Sequence, residues 1–321
     1  MFIWGWRYVA TMDDLEQLKR EISEVGSVQA QLFMITRDKN TEQSFFVHKS
    51  EITDQISTAF VGLVTHLLED VIRKQPEVSV YDIEDVTGET IQFIDQGEVP
   101  FAGHIVQPIL VTDATPSLTD LSDEFLKKLW AYAVKIQYGN KEIIFFRKYS
   151  RNKILKQNIF DAVVFKNGRF SAMEDDVFQI DSQIDCMLLN SELIIFQTNN
   201  FEKIFGFDDL YEVAANQAME QIEQTFNFID AEVLASFVST DSNKQRKLAS
   251  IMKSGSYANF GFAEVCATIQ NYNLDIEVDM ENQKVNLTKK NAVRLLKIIN
   301  EDYLQSEVTK NRFESSSKRK R

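Results

Sequence analysis

The chain has 321 residues, of which 44% are hydrophobic and 11% aromatic, and its formal net charge is −13 at pH 7. Four prolines and eleven glycines argue against a fibrous or low-complexity protein. Two cysteines without CxxC spacing argue against a disulfide framework and a cysteine zinc site. We therefore expect a globular chain of two domains, or one large domain, in a reducing cytoplasm.

The acidic charge is concentrated in the first part of the chain. Residues 1–120 carry 20 acidic and 8 basic residues, whereas residues 121–321 carry 28 and 27. Such asymmetry is typical of two units with different partners, although an acidic surface also favours solubility. The polar, turn-rich segment 111–125 predicts a domain boundary near residue 118, so that residues 1–118 form an acidic N-terminal domain.

Residues 1–118 are predicted to form an α/β domain. Apolar residues three and four apart predict helices over 13–25 and 50–74, the second with Ser50 as its N-cap. Strands are predicted in VQAQLFMIT, QSFFVH, EVSVYDIED and ETIQFIDQG. No secretory leader is visible at the start, and the longest nearly apolar run is about half the length that crosses a bilayer.

A hairpin follows the boundary. Gly139-Asn140 lies between two alternating runs, WAYAVKIQY and KEIIFFRKY, which predicts a two-residue turn. In the register that this turn imposes, Tyr132 faces Arg147 and Ala131 faces Lys148. Arg147 and Lys148 therefore point to opposite sides of the sheet. On its side, Arg147 can stack on Tyr132.

The rest of the chain is predicted to form further antiparallel strands and then helices. FDAVVF and RFSA predict a second hairpin, and DVFQID, IDCMLLN and ELIIFQT predict more strands. A small β element is expected near 274–287. Helices are predicted over 200–205, 208–226, 230–238, 243–254, 258–270 and 289–303. The fold class is therefore α+β: an N-terminal α/β domain, then a mostly antiparallel sheet with a helical C-terminal half.

The stretch KEIIFFRKYSRNKILK, residues 141–156, turns basic where a predicted buried strand ends. Its net charge is +5, and no acidic residue lies between Glu142 and Asp161. Positive charge concentrated in an acidic protein is typical of an anionic partner. Ion pairing to the acidic N-terminal domain is the alternative. The phosphate contacts predicted in this stretch are Lys148, Arg151, Lys153 and Lys156.

Three further basic clusters follow. In TKKNAVRLLKIINEDYL, we predict phosphate contacts at Lys290, Arg294 and Lys297, which share one exposed face of the last helix, with a solvated face as the alternative. The second cluster is NKQRKLASIMK. The third is SSSKRKR in the tail 311–321, which is predicted to be disordered and to add non-specific affinity for nucleic acid or anionic lipid.

Catalytic motifs are scarce. GxGxxG, GxxxxGK[ST], HExxH and GxSxG are absent, and His48, His66 and His104 lack metal-ligand spacing. We therefore expect no cofactor, no bound metal and no enzymatic activity. A metal-dependent nuclease around Asp185 and Glu192 stays open as an alternative, although Ile194 stands where a restriction-type nuclease has lysine.

Four segments occur in order over roughly residues 119–310: EIIFFRKYSRNKIL, FDAVVFKNGRF, DVFQIDSQIDCMLLNSELIIFQTNNFEKIFGF and NAVRLLKIINEDYLQSEVT. Together they resemble the KwaB-like family of the bacterial Kiwa anti-phage system. The resemblance implies a DNA-binding effector that blocks phage replication and transcription. It also implies a membrane partner, the small multi-pass protein KwaA. The first 118 residues carry no such signature.

The resemblance makes DNA the expected partner of the basic clusters. We expect little base specificity, because no row of basic residues sits in a helix-turn-helix context. We also expect a homo-oligomer, either a dimer or a tetramer, since duplicated phosphate-binding patches gain avidity. The protein would be cytoplasmic and recruited to the inner face of the cell membrane by a KwaA-like protein. An interaction module that binds acidic protein surfaces, not DNA, is the remaining alternative.

Overall fold

The structure, a computed structural model, describes residues 11–41, 43–85, 90–150, 154–155, 163–166, 169–172, 177–225, 228–239, 241–255 and 261–315. The chain divides into two compact units. Unit 1 comprises residues 1–80 and 88–205, and unit 2 comprises residues 81–87 and 206–321.

Unit 1 contains helices and strands from both sides of residue 118. Its α-helices are α1 (Met12–Glu24), α2 (Asp54–Lys74), α3 (Ala102–Leu110), α4 (Asp123–Lys128) and α5 (Thr198–Ile204). Its strands are β1 (Val28–Arg37), β2 (Phe45–Ser50), β3 (Glu77–Val80), β4 (Thr90–Asp95), β5 (Leu129–Tyr138), β6 (Lys141–Lys148), β7 (Ile154–Leu155), β8 (Val163–Lys166), β9 (Arg169–Ala172), β10 (Val177–Phe178), β11 (Cys186–Leu189) and β12 (Glu192–Ile195).

Eight of these strands form one sheet in the order β2-β1-β5-β6-β11-β12-β4-β3. Every neighbouring pair is antiparallel except β3 with β4, so the predicted α+β class with a mostly antiparallel sheet is confirmed. The boundary predicted near residue 118 lies inside unit 1 and not between the units. The reason is that β1 pairs with β5 and β4 pairs with β12, which joins the two sides of residue 118 in one sheet.

The β5–β6 hairpin has the predicted register. Tyr132 pairs with Arg147 and Ala131 pairs with Lys148. Since side chains alternate along a strand, Arg147 and Lys148 lie on opposite sides of the sheet. The two-residue turn at Gly139-Asn140 is the local cause, and Gly139 supplies the left-handed backbone (φ 58°) that this turn requires.

One side of the sheet is covered by α1 and α2. The apolar stripe of α1, Leu15, Leu18 and Ile22, and that of α2 share a core with every second residue of β5 and β6. The predicted N-cap of α2 was wrong: Ser50 ends β2, and Thr53 caps the helix by accepting the backbone N–H of Ile56. The other side of the sheet contacts α3 and α5.

Unit 2 is mainly helical and has its own apolar core. Its helices are α6 (Phe207–Thr225), α7 (Ala231–Ser239), α8 (Ser242–Ser254), α9 (Phe262–Asn271) and α10 (Ala292–Ile299). Its strands are β13 (Phe228–Ile229), β14 (Val278–Asp279), β15 (Lys284–Asn286), β16 (Tyr303–Gln305) and β17 (Arg312–Glu314). Because β17 pairs with β16, the tail predicted as disordered from residue 311 contains an ordered strand. Residues 316–321 of that tail lie outside the described residues.

Candidate nucleic-acid interface

Arg147, at the end of β6, is buried and held by carboxylates. Its Nε and Nη2 donate to the two oxygens of Asp181 at 2.9 and 2.8 Å, and its Nη1 donates to Asp185 Oδ1 at 2.5 Å. Nη2 also donates to Gln183 Oε1 at 2.8 Å. The structural role expected of Arg147 therefore rests on the segment 181–185, although its predicted stacking partner, Tyr132, is its cross-strand neighbour.

Asp185 is fully buried and lies at the centre of this network. Besides Arg147, its Oδ1 accepts from Nδ2 of Asn200 at 2.9 Å, and its Oδ2 accepts from the backbone N–H of Lys148 at 2.6 Å. One carboxylate thus joins the end of β6 to α5. Burial, followed by the Asp185 charge, raises the pKa of the adjacent Cys186 thiol.

The nuclease alternative required Asp185 and Glu192 to share a metal ion. In the β11–β12 hairpin, Leu189 pairs with Glu192 while Cys186 pairs with Ile195, so the two carboxylates lie at opposite ends. Four residues of strand separate them, roughly 13 Å along the hairpin. No group of three His, Cys, Asp or Glu side chains in the described part of the chain could hold a metal ion. This predicted pair therefore does not form a shared metal site.

Lys148 emerges on the opposite side of β6 from Arg147 and is half-buried. Its Nζ donates to the carbonyl oxygens of Trp130 at 2.7 Å and Tyr149 at 3.2 Å, and it lies 3.6 Å from the centroid of the Trp130 ring. The indole N–H of Trp130 in turn donates to the Lys203 carbonyl at 2.8 Å. The ammonium of this predicted phosphate contact is thus held in place by the fold.

Lys148 is one of five cations around a cavity of about 280 Å³, which we call the basic pocket. The residues that line it are Arg37, Lys39, Lys127, Lys128, Leu129, Trp130, Lys148 and Tyr149. They come from three chain segments that meet at one end of the sheet: the end of β1, the junction of α4 with β5, and the end of β6.

The sheet register explains how the pocket assembles. Ile35 pairs with Ala131, and Ala131 pairs with Lys148, so these three residues form one row across β1, β5 and β6. Arg37 follows two residues after Ile35 and stands on the same side of the sheet. Only 7% of Arg37 is exposed, and its guanidinium carbon lies 4.8 Å from the centroid of the Trp130 ring.

Acidic side chains near the pocket contact Lys128. Its Nζ lies 3.1 Å from Asp38 and 3.4 Å from Glu124. The hydrogen bond to Asp38 is the main cause that raises the pKa of Lys128, and the pKa of Asp38 is lowered first by the Asn40 backbone N–H and then by Lys128. Among the described residues that line the cavity itself, none is acidic.

Four cations of the basic pocket, Arg37, Lys39, Lys127 and Lys128, were not predicted as site residues. In sequence they are an arginine at a strand end, a lysine in the following turn and a lysine pair before a strand. The pairing of β1 with β5 brings them together, and nothing local in the sequence specifies that pairing. The doublet Lys127-Lys128, directly before the predicted hairpin, was the one local sequence feature that could have indicated a basic site here.

The predicted cluster in unit 2 is bound by carboxylates. Lys290 Nζ lies 2.9 Å from Asp275 and Arg294 Nη1 lies 3.6 Å from the same side chain, while Lys297 contacts Glu314. The hydrogen bond from Lys290 is the main cause that lowers the pKa of Asp275. A shared helical face was predicted for Lys290, Arg294 and Lys297. Because α10 begins at residue 292, Lys290 instead precedes the helix.

Some of the remaining predicted cations lie outside the described residues, and others make contacts within unit 2. Arg151, Lys153 and Lys156 lie outside the described residues. In the NKQRKLASIMK cluster, Lys247 contacts the buried Asp302, and Lys244 Nζ lies 3.5 Å from the ring centroid of Phe237. These two lysines stabilise unit 2.

Comparison with known proteins identifies a family. A model of the family described as "Kiwa protein KwaB-like" matches residues 126–309. No curated protein and no solved structure matches the chain. Across the described residues, no helix is both long enough and apolar enough to span a membrane. The family match covers more than half of the chain, and the protein therefore belongs to the KwaB-like family of Kiwa proteins.

Proposed function

We propose that this protein is the DNA-binding effector of a Kiwa system and acts by occupying phage DNA. Family membership places the chain in Kiwa anti-phage defence. The observation that carries the DNA-binding proposal is the basic pocket, where five cations gather at one end of the sheet in a chain of net charge −13. Positive charge concentrated against an acidic background attracts polyanions such as DNA.

The arrangement suits contact with the phosphate backbone. Lys148 on β6 and Arg37 on β1 stand on one side of the sheet with β5 between them, and the exposed side chains of Lys127 and Lys128 lie beside them. The chain then continues from Lys148 into Arg151, Lys153 and Lys156, which extend the positive charge in sequence. Phosphate contacts position a protein on DNA without reading its sequence, so binding has little base specificity.

The proposed mechanism is obstruction without chemistry on the DNA. A bound oligomer, a dimer or a tetramer, would block replication and transcription of the phage genome, with avidity from repeated patches. A KwaA-like membrane protein would recruit the protein to the inner face of the cell membrane. The acidic residues 1–120 suit contact with the basic cytoplasmic loops of such a partner. No enzymatic activity and no cofactor are needed in this mechanism.

The test is the affinity for a duplex oligonucleotide, measured by fluorescence anisotropy from 50 to 300 mM salt. Neutralising about five phosphates predicts a log–log slope of about −4.5. A triple variant with Lys148, Arg151 and Lys153 replaced by glutamate should lose this binding. The single variant Lys141→Glu at the other end of β6 should bind nearly as well as wild type. A slope near zero for the wild-type protein contradicts the proposal.

A further inference from the structure

The basic pocket is a partly open depression of about 280 Å³, and this small volume limits how much of a ligand can enter it. Pockets for drug-sized ligands occupy roughly 300 to 1,000 Å³. A cavity of about 280 Å³ accommodates a phosphate on one sugar or nucleoside and excludes a stretch of double helix. A backbone phosphate within a duplex would meet only the rim of the cavity, so the pocket interior calls for a smaller anionic group.

The cations of the pocket are suited to a compact anion. Arg37 is 93% buried, and a guanidinium offers parallel N–H donors that match two oxygens of a phosphate. Lys127 and Lys128 at the end of α4, and Lys148 at the end of β6, add point charges from two other segments. The Trp130 ring, fixed by its hydrogen bond to Lys203, contacts both Arg37 and Lys148 and keeps the two cations close together.

We propose that the basic pocket binds a phosphate monoester. At pH 7 a monoester carries roughly −1.5 to −2 charges, whereas each backbone diester of DNA carries only one, so several converging cations favour the monoester. The monoester is either the terminal phosphate of a DNA strand or the phosphate of a free nucleotide. This inference goes beyond backbone binding and does not depend on it, because a free nucleotide would occupy the same cavity.

The first experiment is calorimetric titration of the full chain with deoxyadenosine 5′-monophosphate. Deoxyadenosine and its cyclic 3′,5′-monophosphate, a diester, are the matched probes. The monophosphate should bind at least tenfold more tightly than the cyclic diester, and deoxyadenosine should not bind. A second arm compares one oligonucleotide sequence with a 5′-phosphate and with a 5′-hydroxyl end.

Each outcome has a defined meaning. A preference for the 5′-phosphate end supports the proposal and assigns the DNA terminus as ligand. Binding of the monophosphate without an end preference supports it and assigns a free nucleotide. If the protein binds the monophosphate but no DNA, the pocket assignment stands and the proposed DNA-binding function fails. If neither preference is observed, the phosphate-monoester proposal is overturned.

Variants connect the preference to the pocket. The exposed pair Lys127→Gln/Lys128→Gln should lower affinity for the monophosphate at least tenfold. The matched double variant Lys74→Gln/Lys141→Gln removes the same charge at two exposed sites elsewhere in unit 1 and should bind as wild type. Arg37→Met tests the buried cation, with thermal unfolding as a check that it folds. Equal affinity in the pocket double variant and the wild type overturns the proposal.

Discussion

Arg147 and Asp185 form a charge pair in which the carboxylate has no exposed surface. The same carboxylate accepts the backbone N–H of Lys148, the next residue along β6. Adjacent residues of one strand thus have different tasks: Arg147 ties the strand to the segment 181–185, and Lys148 projects from the opposite side into the basic pocket. The buried pair holds in place the strand end from which the proposed phosphate contact emerges.

Removing one partner of this pair should destabilise the protein strongly. Arg147→Met leaves the buried Asp185 without its charged partner, and breaking a buried pair in this way costs about 3–5 kcal/mol. We expect the urea midpoint, followed by circular dichroism, to fall accordingly. The double variant Arg147→Met/Asp185→Asn should be less destabilised than the sum of the two single variants, because the fully buried side chain at 185 no longer carries an unpaired charge. Additive effects would contradict a coupled pair.

Lys148→Met should affect DNA binding more than stability. Its half-buried ammonium bonds to two uncharged carbonyl oxygens, so we expect the urea midpoint to fall much less than in Arg147→Met. Affinity for duplex DNA should fall, and the salt slope should become less steep by about 0.9, the value for one lost phosphate contact. Arg147→Met should leave the salt slope of DNA binding unchanged, provided that the variant is folded in the binding buffer. An unchanged salt slope in Lys148→Met would show that Lys148 does not contact a DNA phosphate.

Local sequence patterns predict the short-range part of this arrangement, but they do not predict its long-range part. The Gly139-Asn140 turn predicts the β5–β6 register, because a two-residue loop leaves one pairing, and that register places Arg147 and Lys148 on opposite sides. Apolar spacing predicts α1 closely. The partners of Arg147 in segment 181–185, and the approach of Arg37 to Lys148, depend on pairing between strands far apart in sequence, which no local pattern specifies.

The same limit applies to the domain boundary predicted near residue 118, a position that lies inside unit 1. Segment 111–125 is polar and turn-rich, which is typical of a linker, but these residues connect elements of one sheet. The edges of β1 and β4 need hydrogen-bonding partners, and β5 and β12 from the other side of residue 118 provide them. Composition and charge report on surfaces, and they do not reveal which strand edges meet.

Asp275→Asn should strengthen DNA binding if the unit 2 cluster contacts phosphate. Asp275 holds both Lys290 and Arg294, and an exposed pair of this kind is weak enough for a phosphate to displace. Neutralising the carboxylate frees both cations, so affinity at 100 mM salt should rise several-fold.

The matched control for that variant is Asp279→Asn. Asp279 is partly exposed, and its side chain accepts hydrogen bonds mainly from Asn282 and from backbone N–H groups. Its substitution changes the net charge equally, so a general charge effect would raise affinity in both variants by the same factor. Equal affinities in Asp275→Asn and wild-type protein would exclude Lys290 and Arg294 from the interface.

Asp241 should make the stability of unit 2 depend on pH. It caps α8 by accepting the backbone N–H groups of Asn243 and Lys244 at 2.9 and 3.4 Å. Burial raises its pKa, but these hydrogen bonds and the Lys244 charge outweigh burial and lower the pKa overall. The unfolded value is about 3.9. The stabilisation is therefore fully present above pH 4 and is lost as pH falls through the lowered native pKa.

Two substitutions separate the cap from its charge. Asp241→Ala removes the N-cap and should lower the free energy of unfolding by about 1 kcal/mol at pH 7. Asp241→Asn keeps an acceptor oxygen at the N-cap but lacks the charge that Lys244 stabilises, so its stability at pH 7 should lie between those of Asp241→Ala and wild type. Below pH 4 the Asp241 carboxylate protonates, so the difference in unfolding free energy between wild type and Asp241→Asn should shrink. Other acidic groups lower the stability of both proteins. Urea unfolding from pH 3 to 7 measures all three proteins, and a constant difference between wild type and Asp241→Asn across that range would contradict an ionised cap.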